Sequence, residues 1–435
     1  MLPRSGRGCN PTGLAPAGRF GYHAAVLTFH HRRGRVDLRP AWTTSEIHTT
    51  IADLLAEWEH RLPASRDARV VIKPNLNNDL VALSGNCADL RVLDALLDGL
   101  RRRGYHALTV ADGSNVGVER RNINTFTRLR VVALAERHGA RVVNLNQDEG
   151  ERVSLQAGGQ PVVGRTILES DFLISVPKIK THAEAGMSCA LKNWVGIARG
   201  QMKRHMHFDL AANIVAMNEV VLPDLILVDG IVGMEGNGPG DGDPFRFGQL
   251  LMSDDAFLND VVVARLIDMP LSAVGYLQVA LERGHIDEAL VQEVAAKVPI
   301  LRPIRRAPPR TRLAELSEAR QLEWLKRAVR PIVSRPRVTE LAYKLKIIQD
   351  VYSLDDDSLR LVGRDVARCG ACRRCEDFCP TELPLSAIGV RTEAPDCVQC
   401  LYCWWVCPQD ALRLEGQPNA MKRQIERYKP AIEQM

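Results

Sequence analysis

The sequence contains little that marks a membrane-spanning or secreted protein. No apolar run approaches the roughly 18 residues that a transmembrane helix needs. The first 20 residues carry basic side chains without a continuous apolar segment, so they are predicted to be a disordered tail and not a secretory signal. Only Cys9, Cys87 and Cys189 of the 11 cysteines are scattered along the chain. Because this cysteine usage does not suit a disulfide framework, we expect a protein of the reducing cytoplasm.

The chain also lacks the common nucleotide fingerprints. Its glycine-rich run at 229–244 has neither GK[ST] nor GxGxxG, which excludes a P-loop and gives no sign of a dinucleotide site. Aromatic residues are only 5% of the composition. Residues 301–350 hold 13 Lys and Arg against 5 Asp and Glu, but only Trp324 and Tyr343 could stack on bases. Nucleic acid is therefore not an expected partner, and an acidic electron-transfer protein suits this basic stretch better.

Size and composition set the domain organisation. The chain has 435 residues, 46% hydrophobic and 25% charged, which suits a globular protein of two or three domains. The predicted divisions are a disordered tail (1–20), an α/β domain (21–300), a basic helical linker (301–365), a cysteine-rich module (366–416) and a charged tail (417–435).

The cysteine-rich module carries the most specific signal. The pattern C-x2-C-x2-C-x3-C-P occurs twice, with equivalent cysteines 28 residues apart. Thiolates are soft ligands for iron, and in this pattern the fourth cysteine ligates the other cluster. A zinc site would leave half of these thiols unused. The spacing predicts two 4Fe–4S clusters, held by Cys369, Cys372, Cys375 and Cys407 and by Cys397, Cys400, Cys403 and Cys379. This stretch resembles the bacterial two-cluster ferredoxin family over about 45 residues, which implies a small α+β fold.

Upstream of the module, apolar runs alternate with amphipathic segments. Strands are predicted at 69–75, 106–114, 141–146, 171–178 and 224–230. The intervening segments at 44–61, 89–103, 126–138 and 207–221 have helical spacing, and two more helices are predicted at 255–268 and 271–283. This alternation predicts a mostly parallel, doubly wound α/β sheet, with ligands beyond the carboxyl ends of its strands, after Val110, Val176 and Val228.

Polar residues suited to a site follow two of these strands. The run 177–207 is rich in lysine and histidine, and the glycine-rich run 229–244 supplies carboxylates. Lysines would hold an anionic substrate, a histidine would move a proton, and a carboxylate would bind a metal or orient the histidine. A solvated basic loop and an ordinary tight turn remain alternatives for the two runs. The candidate catalytic residues are Lys178, Lys180, His182, Lys192, Asn193, His207, Asp229 and Glu235.

Several short motifs in this region carry a family resemblance. Their order is IKPN (72–75), ADGS (111–114), PKIKTH (177–182), LKNWVG (191–196), VDGIVGMEGNGP (228–239) and SDDAFLND (253–260). The chain resembles the domain of unknown function 362 family over about residues 21–290. The resemblance implies an α/β architecture and association with iron–sulfur modules, but no particular reaction. Residues 77–87, Phe257 and Asn259 depart from the family pattern, which bears on the substrate more than on the fold.

Two functions fit these expectations. In the first, the chain is a redox enzyme whose clusters exchange electrons with a small-molecule substrate on the α/β domain and with an external ferredoxin or flavoprotein. In the second, it is a non-catalytic electron-transfer subunit whose α/β domain docks a partner enzyme. The number of convergent lysine, histidine and aspartate residues favours the enzyme.

Overall fold

The computed structural model describes residues 25–308, 355–393 and 395–435. The predicted N-terminal tail and most of the predicted linker lie outside these ranges. The strands are β1 Leu27–His31, β2 Gly34–Pro40, β3 Val70–Pro74, β4 Leu108–Asp112, β5 Arg141–Asn144, β6 Gly150–Arg152, β7 Val162–Gly164, β8 Phe172–Val176, β9 Lys178–His182, β10 Gly186–Ser188, β11 Leu225–Glu235, β12 Asp243–Ser253, β13 Arg360–Arg364 and β14 Leu412–Glu415.

The α-helices alternate with these strands through the α/β domain and flank them in the module. They are α1 Thr44–Glu57, α2 Leu90–Arg102, α3 Val116–Arg120, α4 Thr125–Arg128, α5 Val131–Arg137, α6 Arg165–Leu168, α7 Ala190–Asn193, α8 Leu210–Val220, α9 Ala256–Leu266, α10 Gly275–Glu282, α11 Glu288–Lys297, α12 Arg374–Asp377, α13 Tyr402–Trp405 and α14 Lys422–Gln434. None of the described helices is long and apolar enough to cross a membrane.

The central sheet is mixed, with a parallel half and an antiparallel edge. Strands β11, β8, β3, β4 and β5 lie side by side and parallel, whereas β1, β2, β12 and β11 pair antiparallel. Strands β3, β4 and β8 are buried along their whole length, as expected for parallel strands that are covered on both faces. The prediction of a doubly wound α/β domain with a largely parallel sheet is confirmed.

Two hydrophobic cores lie on opposite faces of this sheet. Alternate residues of one strand enter different cores: Val70 and Ile72 pack with α1 and α2, whereas Val71 packs on the opposite side, with α8 and α9. Helix α1 begins with a capping box, in which Thr43 accepts from the backbone of Glu46 and the Glu46 carboxylate accepts from the backbone of Thr43. The hydrophobic pattern therefore determines which face of the sheet each helix covers.

The structure corrects several element boundaries. The predicted helix at 126–138 is divided into α4 and α5, because Arg130 between them has a positive φ of 62°. The glycine-rich run 229–244 is largely strand, since β11 continues to Glu235 and turns into β12. The strand β13 precedes the predicted module boundary at residue 366 and pairs with β14, so the module extends further towards the N-terminus than predicted.

Candidate functional site

A cavity of about 400 Å³ opens at the carboxyl ends of β3, β4 and β8. In parallel sheets this edge is where the loops meet and where ligands bind. The cavity is strongly basic, because four of its lining side chains are lysines and only one is a carboxylate. Its polar lining residues are Lys73, Asn75, Asn77, Asp112, Asn115, Lys180, His182, Ser188, Lys192, Asn193, Lys203 and His207.

The four lysines have different partners, but burial lowers the pKa of each of them. Burial lowers the pKa of Lys180 to about 7, of Lys203 to about 7 and of Lys192 to about 8, and burial also lowers the pKa of Lys73. Neighbouring lysines lower these values further. Amines with such values exchange protons near neutral pH, so the cavity can change its charge when a ligand enters.

A hydrogen-bonded network fixes the floor of the cavity. The Lys73 ammonium lies 2.7 Å from Asp112 Oδ1 and donates to Asn193 Oδ1 at 2.8 Å. Asn193 in turn donates to Ser175 Oγ at 3.0 Å. The other Asp112 oxygen accepts from the backbone of Leu76 at 2.6 Å. These bonds tie the ends of β3, β4 and β8 to α7, so the floor is preorganised.

The two candidate histidines lie at the rim. His182 Nδ1 accepts from the backbone N–H groups of Glu184 and Ala185, at 3.1 and 3.2 Å, which leaves the ring proton of a neutral imidazole on Nε2. His207 Nδ1 lies 3.0 Å from Glu184 Oε2. Both imidazoles are therefore held in place, and either can exchange a proton with a ligand in the cavity.

Three of the eight candidate residues do not line this cavity. Lys178 and Asp229 form a fully buried ion pair of 2.8 Å beneath it, and Asp229 also accepts from the backbone of Asp89. Glu235 lies 12% exposed and pairs with Arg302 and Arg305. The expectation that Asp229 or Glu235 binds a metal or orients a histidine is therefore corrected, because lysine or arginine side chains occupy both carboxylates. Lys180, His182, Lys192, Asn193 and His207 do converge on the cavity.

Seven polar lining residues escaped the sequence-based selection of site residues, and four of them are charged or bond to a charged group. Lys73 and Asn75 belong to the IKPN motif, and Asp112 belongs to ADGS. Lys203 lies in a 3-10 helix that runs from Gly200 to Phe208. Each motif stands at the carboxyl end of a buried strand, and that position was the signal that could have identified them. Lysine and aspartate inside apolar strands are expensive to bury without a partner, which also marks them as site residues.

A second buried cluster positions the cavity residues on α7. Asp260 accepts from the backbone N–H groups of Ala190 and Leu191 and from the hydroxyl of Tyr276. Burial raises the pKa of Asp260 to about 6. The Asp260 carboxylate thus fixes the first turn of α7. Because α7 carries Lys192, Asp260 positions Lys192 at the cavity without lining the cavity itself.

Replacing Asp260 with alanine is expected to lower the free energy of unfolding by about 1–3 kcal/mol, because two buried backbone donors lose their acceptor. Urea unfolding measures this change. Asp53 on the exposed face of α1 provides the control, and Asp53→Ala should leave the unfolding midpoint nearly unchanged. Equal effects of the two substitutions would contradict the positioning role of Asp260.

The module cysteines form two groups in the fold. The thiols of Cys369, Cys372 and Cys407 surround Cys375 and, after burial, raise its pKa to about 12. Burial raises the pKa of Cys397, Cys400 and Cys403, and Cys379 is a neighbouring thiol in each case. A small cavity is lined by the same four residues, Cys379, Cys397, Cys400 and Cys403, and by apolar side chains. These neighbours agree with the cysteine grouping expected from the spacing, and the role of the thiols as cluster ligands stays a prediction.

The backbone of the module repeats with the same offset of 28 residues. Positive φ angles occur at Ala371 and Gln399, at Arg373 and Leu401, and at Glu382 and Asp410. The short helices α12 and α13 are also related by this offset. Non-glycine residues with positive φ are costly, so their repetition indicates a loop shape that each half needs to direct its thiols inward.

Among residues 25–308, 355–393 and 395–435, no three His, Cys, Asp or Glu side chains are arranged to hold a single metal ion. An iron–sulfur cubane spreads its four thiolate ligands around four irons, more widely than one ion does. Cys379, Cys397, Cys400 and Cys403 line one apolar cavity, as such a cluster requires. The donor set therefore fits a cluster better than a mononuclear site.

The module packs directly on the α/β domain. Phe378 lies 5.4 Å from Trp42 in an edge-to-face contact and 4.3 Å from the Arg91 guanidinium. The hydroxyl of Tyr402 accepts from the backbone of Leu90 at 3.3 Å. On α14, the Gln424 side chain accepts from Val81 and donates to Asp79. The predicted charged tail is thus a helix that contributes to this interface.

A family model matches the part of the chain that forms the cavity. Residues 70–265 match the family model described as Domain of unknown function (DUF362). The matched residues contain the strands β3, β4 and β8 and most of the cavity lining. The predicted resemblance is confirmed for this range, which is narrower than the expected 21–290.

Two individual proteins are also similar to the chain. The "Thylakoid-associated protein sll1697" of Synechocystis sp. (strain ATCC 27184 / PCC 6803 / Kazusa) is 32% identical over 114 residues, which are 25% of this chain and 36% of that protein. The chain thus matches about a third of the relative's length. The lactate racemase apoprotein from Thermoanaerobacterium thermosaccharolyticum is 14% identical with a TM-score of 0.31, over 48% of this chain and 56% of that one.

Proposed function

We propose that this chain is an iron–sulfur oxidoreductase, with two 4Fe–4S clusters on the module cysteines and a small-molecule substrate in the lysine-lined cavity. When bound, the clusters would supply one-electron transfer. The observation that carries the proposal is the segment 76–90, which joins the cavity to the module. The paired thiol groups and the apolar cavity of the second group support the cluster assignment.

Segment 76–90 contacts the cavity near one end and the cysteine-rich module at the other. At one end, Lys180 Nζ donates to the backbone carbonyl of Asn86 at 2.8 Å. At the other end, Leu90 donates to Tyr402, which lies one residue before Cys403. A buried, hydrogen-bonded path between a cavity and a cysteine group suits electron transfer better than a mobile tether does.

The two cysteine groups differ in exposure, which gives the proposed path a direction. Cys372 is exposed, and the loop from Val366 to Arg368 before its group is also exposed. In the second group, Cys379 and Cys403 are buried. The first group would therefore exchange electrons with an external ferredoxin or flavoprotein, and the second would face the α/β domain and the substrate.

The cavity residues have separate roles in this proposal. Lys180 and Lys192 bind the negative charge of the substrate, and the Lys73–Asp112 pair holds the strand ends in place. His182, with its Nε2 proton, and His207 at the rim exchange protons with the substrate as electrons move.

The test separates an enzyme from a docking subunit. The anaerobic, dithionite-reduced chain is mixed with a panel of small anions while its visible absorption reports cluster oxidation. An enzyme predicts that one compound oxidises the isolated chain and that Lys180→Met loses this reaction with its iron content intact. If no compound reacts and a stoichiometric protein partner co-purifies, the chain is instead a non-catalytic electron-transfer subunit.

A further inference from the structure

The cavity contains more positive charge than its own carboxylate can balance. Asp112 is committed to Lys73 at 2.7 Å. Lys180 donates to Asn75 Oδ1 and to a backbone carbonyl, both at 2.8 Å, so its partners are neutral. Lys203 donates to the neutral amide of Asn146. Of the four lysines that line the cavity, Lys180 and Lys203 are therefore buried with hydrogen bonds but without a counterion.

Lys192 is the least satisfied of the four. Within the described ranges, its ammonium has no hydrogen bond or ion pair, although it lines the cavity. Glu184 is the acidic group that faces it, but this carboxylate binds His207 at the rim. Lys192 is only partly buried and its side chain lines the cavity, so its ammonium is available to a ligand that carries negative charge.

The other ionisable groups nearby do not supply that charge. Glu119 faces Lys203 but is bonded to Gln201. Cys87 faces Lys180, and burial raises its thiol pKa to about 11, so the thiol is neutral at pH 7. Lys178 adds positive charge and is balanced by Asp229. The imidazoles of His182 and His207 are neutral or positive, so they cannot balance the lysines.

We infer that the cavity binds a small dianion, such as inorganic phosphate or a short dicarboxylate, between the ammonium groups of Lys192 and Lys180. The inference rests on the proposed function in one respect, that the dianion is part of the substrate. Binding of the dianion itself does not depend on a redox reaction. Three ammonium groups lack a counterion, those of Lys180, Lys192 and Lys203, so a dianion balances two of them where a monoanion balances one. The cavity volume of about 400 Å³ leaves room for such a dianion together with the rest of a larger substrate.

Binding should be linked to protonation of the cavity lysines. Burial lowers the pKa of Lys180 and Lys203 to about 7 and of Lys192 to about 8, so part of their charge is missing at neutral pH. A bound dianion favours the charged amines and raises these values again. Affinity should therefore fall above about pH 8, by about tenfold per pH unit for each linked proton.

Isothermal titration calorimetry of the oxidised, cluster-loaded protein tests the inference. Inorganic phosphate and succinate are titrated from pH 6.5 to 9, in two buffers of different ionisation enthalpy, and acetate serves as the monoanion. We expect both dianions or one of them to bind more tightly than acetate, with proton uptake at pH 7.5. Binding of phosphate alone would identify a phosphate ester, and binding of succinate alone would identify a dicarboxylate.

Matched variants assign the site. Lys192→Met should weaken dianion binding about ten- to hundredfold, as expected for loss of one hydrogen bond to a charged group. Lys297→Met removes the same charge from an exposed helix position and should leave affinity unchanged. Dianions that bind no better than acetate, or an unaltered affinity in Lys192→Met, would overturn the inference. Since no electron transfer is measured, these results are independent of the proposed redox reaction.

Discussion

Replacing Cys403 with serine is expected to reduce the iron content from about eight to about four per chain. Cys403 is buried beside Cys379, Cys397 and Cys400. Cys375 is also near, but it belongs to the other predicted group. A serine hydroxyl is a harder and much weaker ligand for iron than a thiolate. The group that contains Cys369 should keep its cluster. Iron and acid-labile sulfide assays on anaerobically purified protein measure the change.

Two matched serine variants make this result specific. Cys372→Ser should also remove about half of the iron, but from the exposed group, and it should leave the spectrum of the buried cluster. Cys87→Ser alters a buried thiol outside the module and should leave all of the iron in place. Full iron content in Cys403→Ser, or loss of iron in Cys87→Ser, would contradict the ligand assignment.

Replacing Asp229 with alanine is expected to lower the free energy of unfolding by about 3–5 kcal/mol. The substitution leaves the fully buried Lys178 ammonium without its partner at 2.8 Å and removes the acceptor for the backbone of Asp89. Burying an unpaired charge is among the most costly single changes in a protein. Urea unfolding, followed by circular dichroism, measures the loss.

Two further variants distinguish the ion pair from a general effect of truncation. Asp171→Ala removes an exposed ion pair with Arg69 and a hydrogen bond to the Arg69 backbone, so it should cost much less stability than Asp229→Ala. The double variant Lys178→Met with Asp229→Leu removes both charges and should recover part of the lost stability. An Asp229→Ala protein as stable as the parent would show that Lys178 finds another partner or loses its proton.

The fold was predictable where the hydrophobic pattern of a segment fits only one type of secondary structure. Strands β3, β4 and β8 are continuous apolar runs, and the segments that form α1 and α2 have the spacing of amphipathic helices. Strands β2 and β12 were missed because their partners are set by tertiary pairing across the antiparallel edge. The β11–β12 hairpin was missed because its glycines suggested a loop, whereas Gly233 is packed against the ring of Phe245.

The candidate site was only partly predictable, for a related reason. Spacing along the chain predicts the cysteine groups, with three ligands from one repeat and the fourth from the other, and this assignment stays a prediction. Spacing could not separate Lys178 from Lys180, because residues two apart on a strand share a face. Their partners on other segments separate them: Lys178 pairs with the buried Asp229, whereas Lys180 donates to Asn75 at the cavity. Lys203 joins the cavity through contacts between distant segments, which no local pattern encodes.

The most direct test of the account is metal analysis of the anaerobically purified protein together with electron paramagnetic resonance after reduction. Two clusters on the module predict about eight irons and about eight sulfides per chain, with the signal of two interacting spins. Omission of dithionite should abolish the signal and leave the metal content unchanged. One tightly bound zinc and no iron would contradict the central claim.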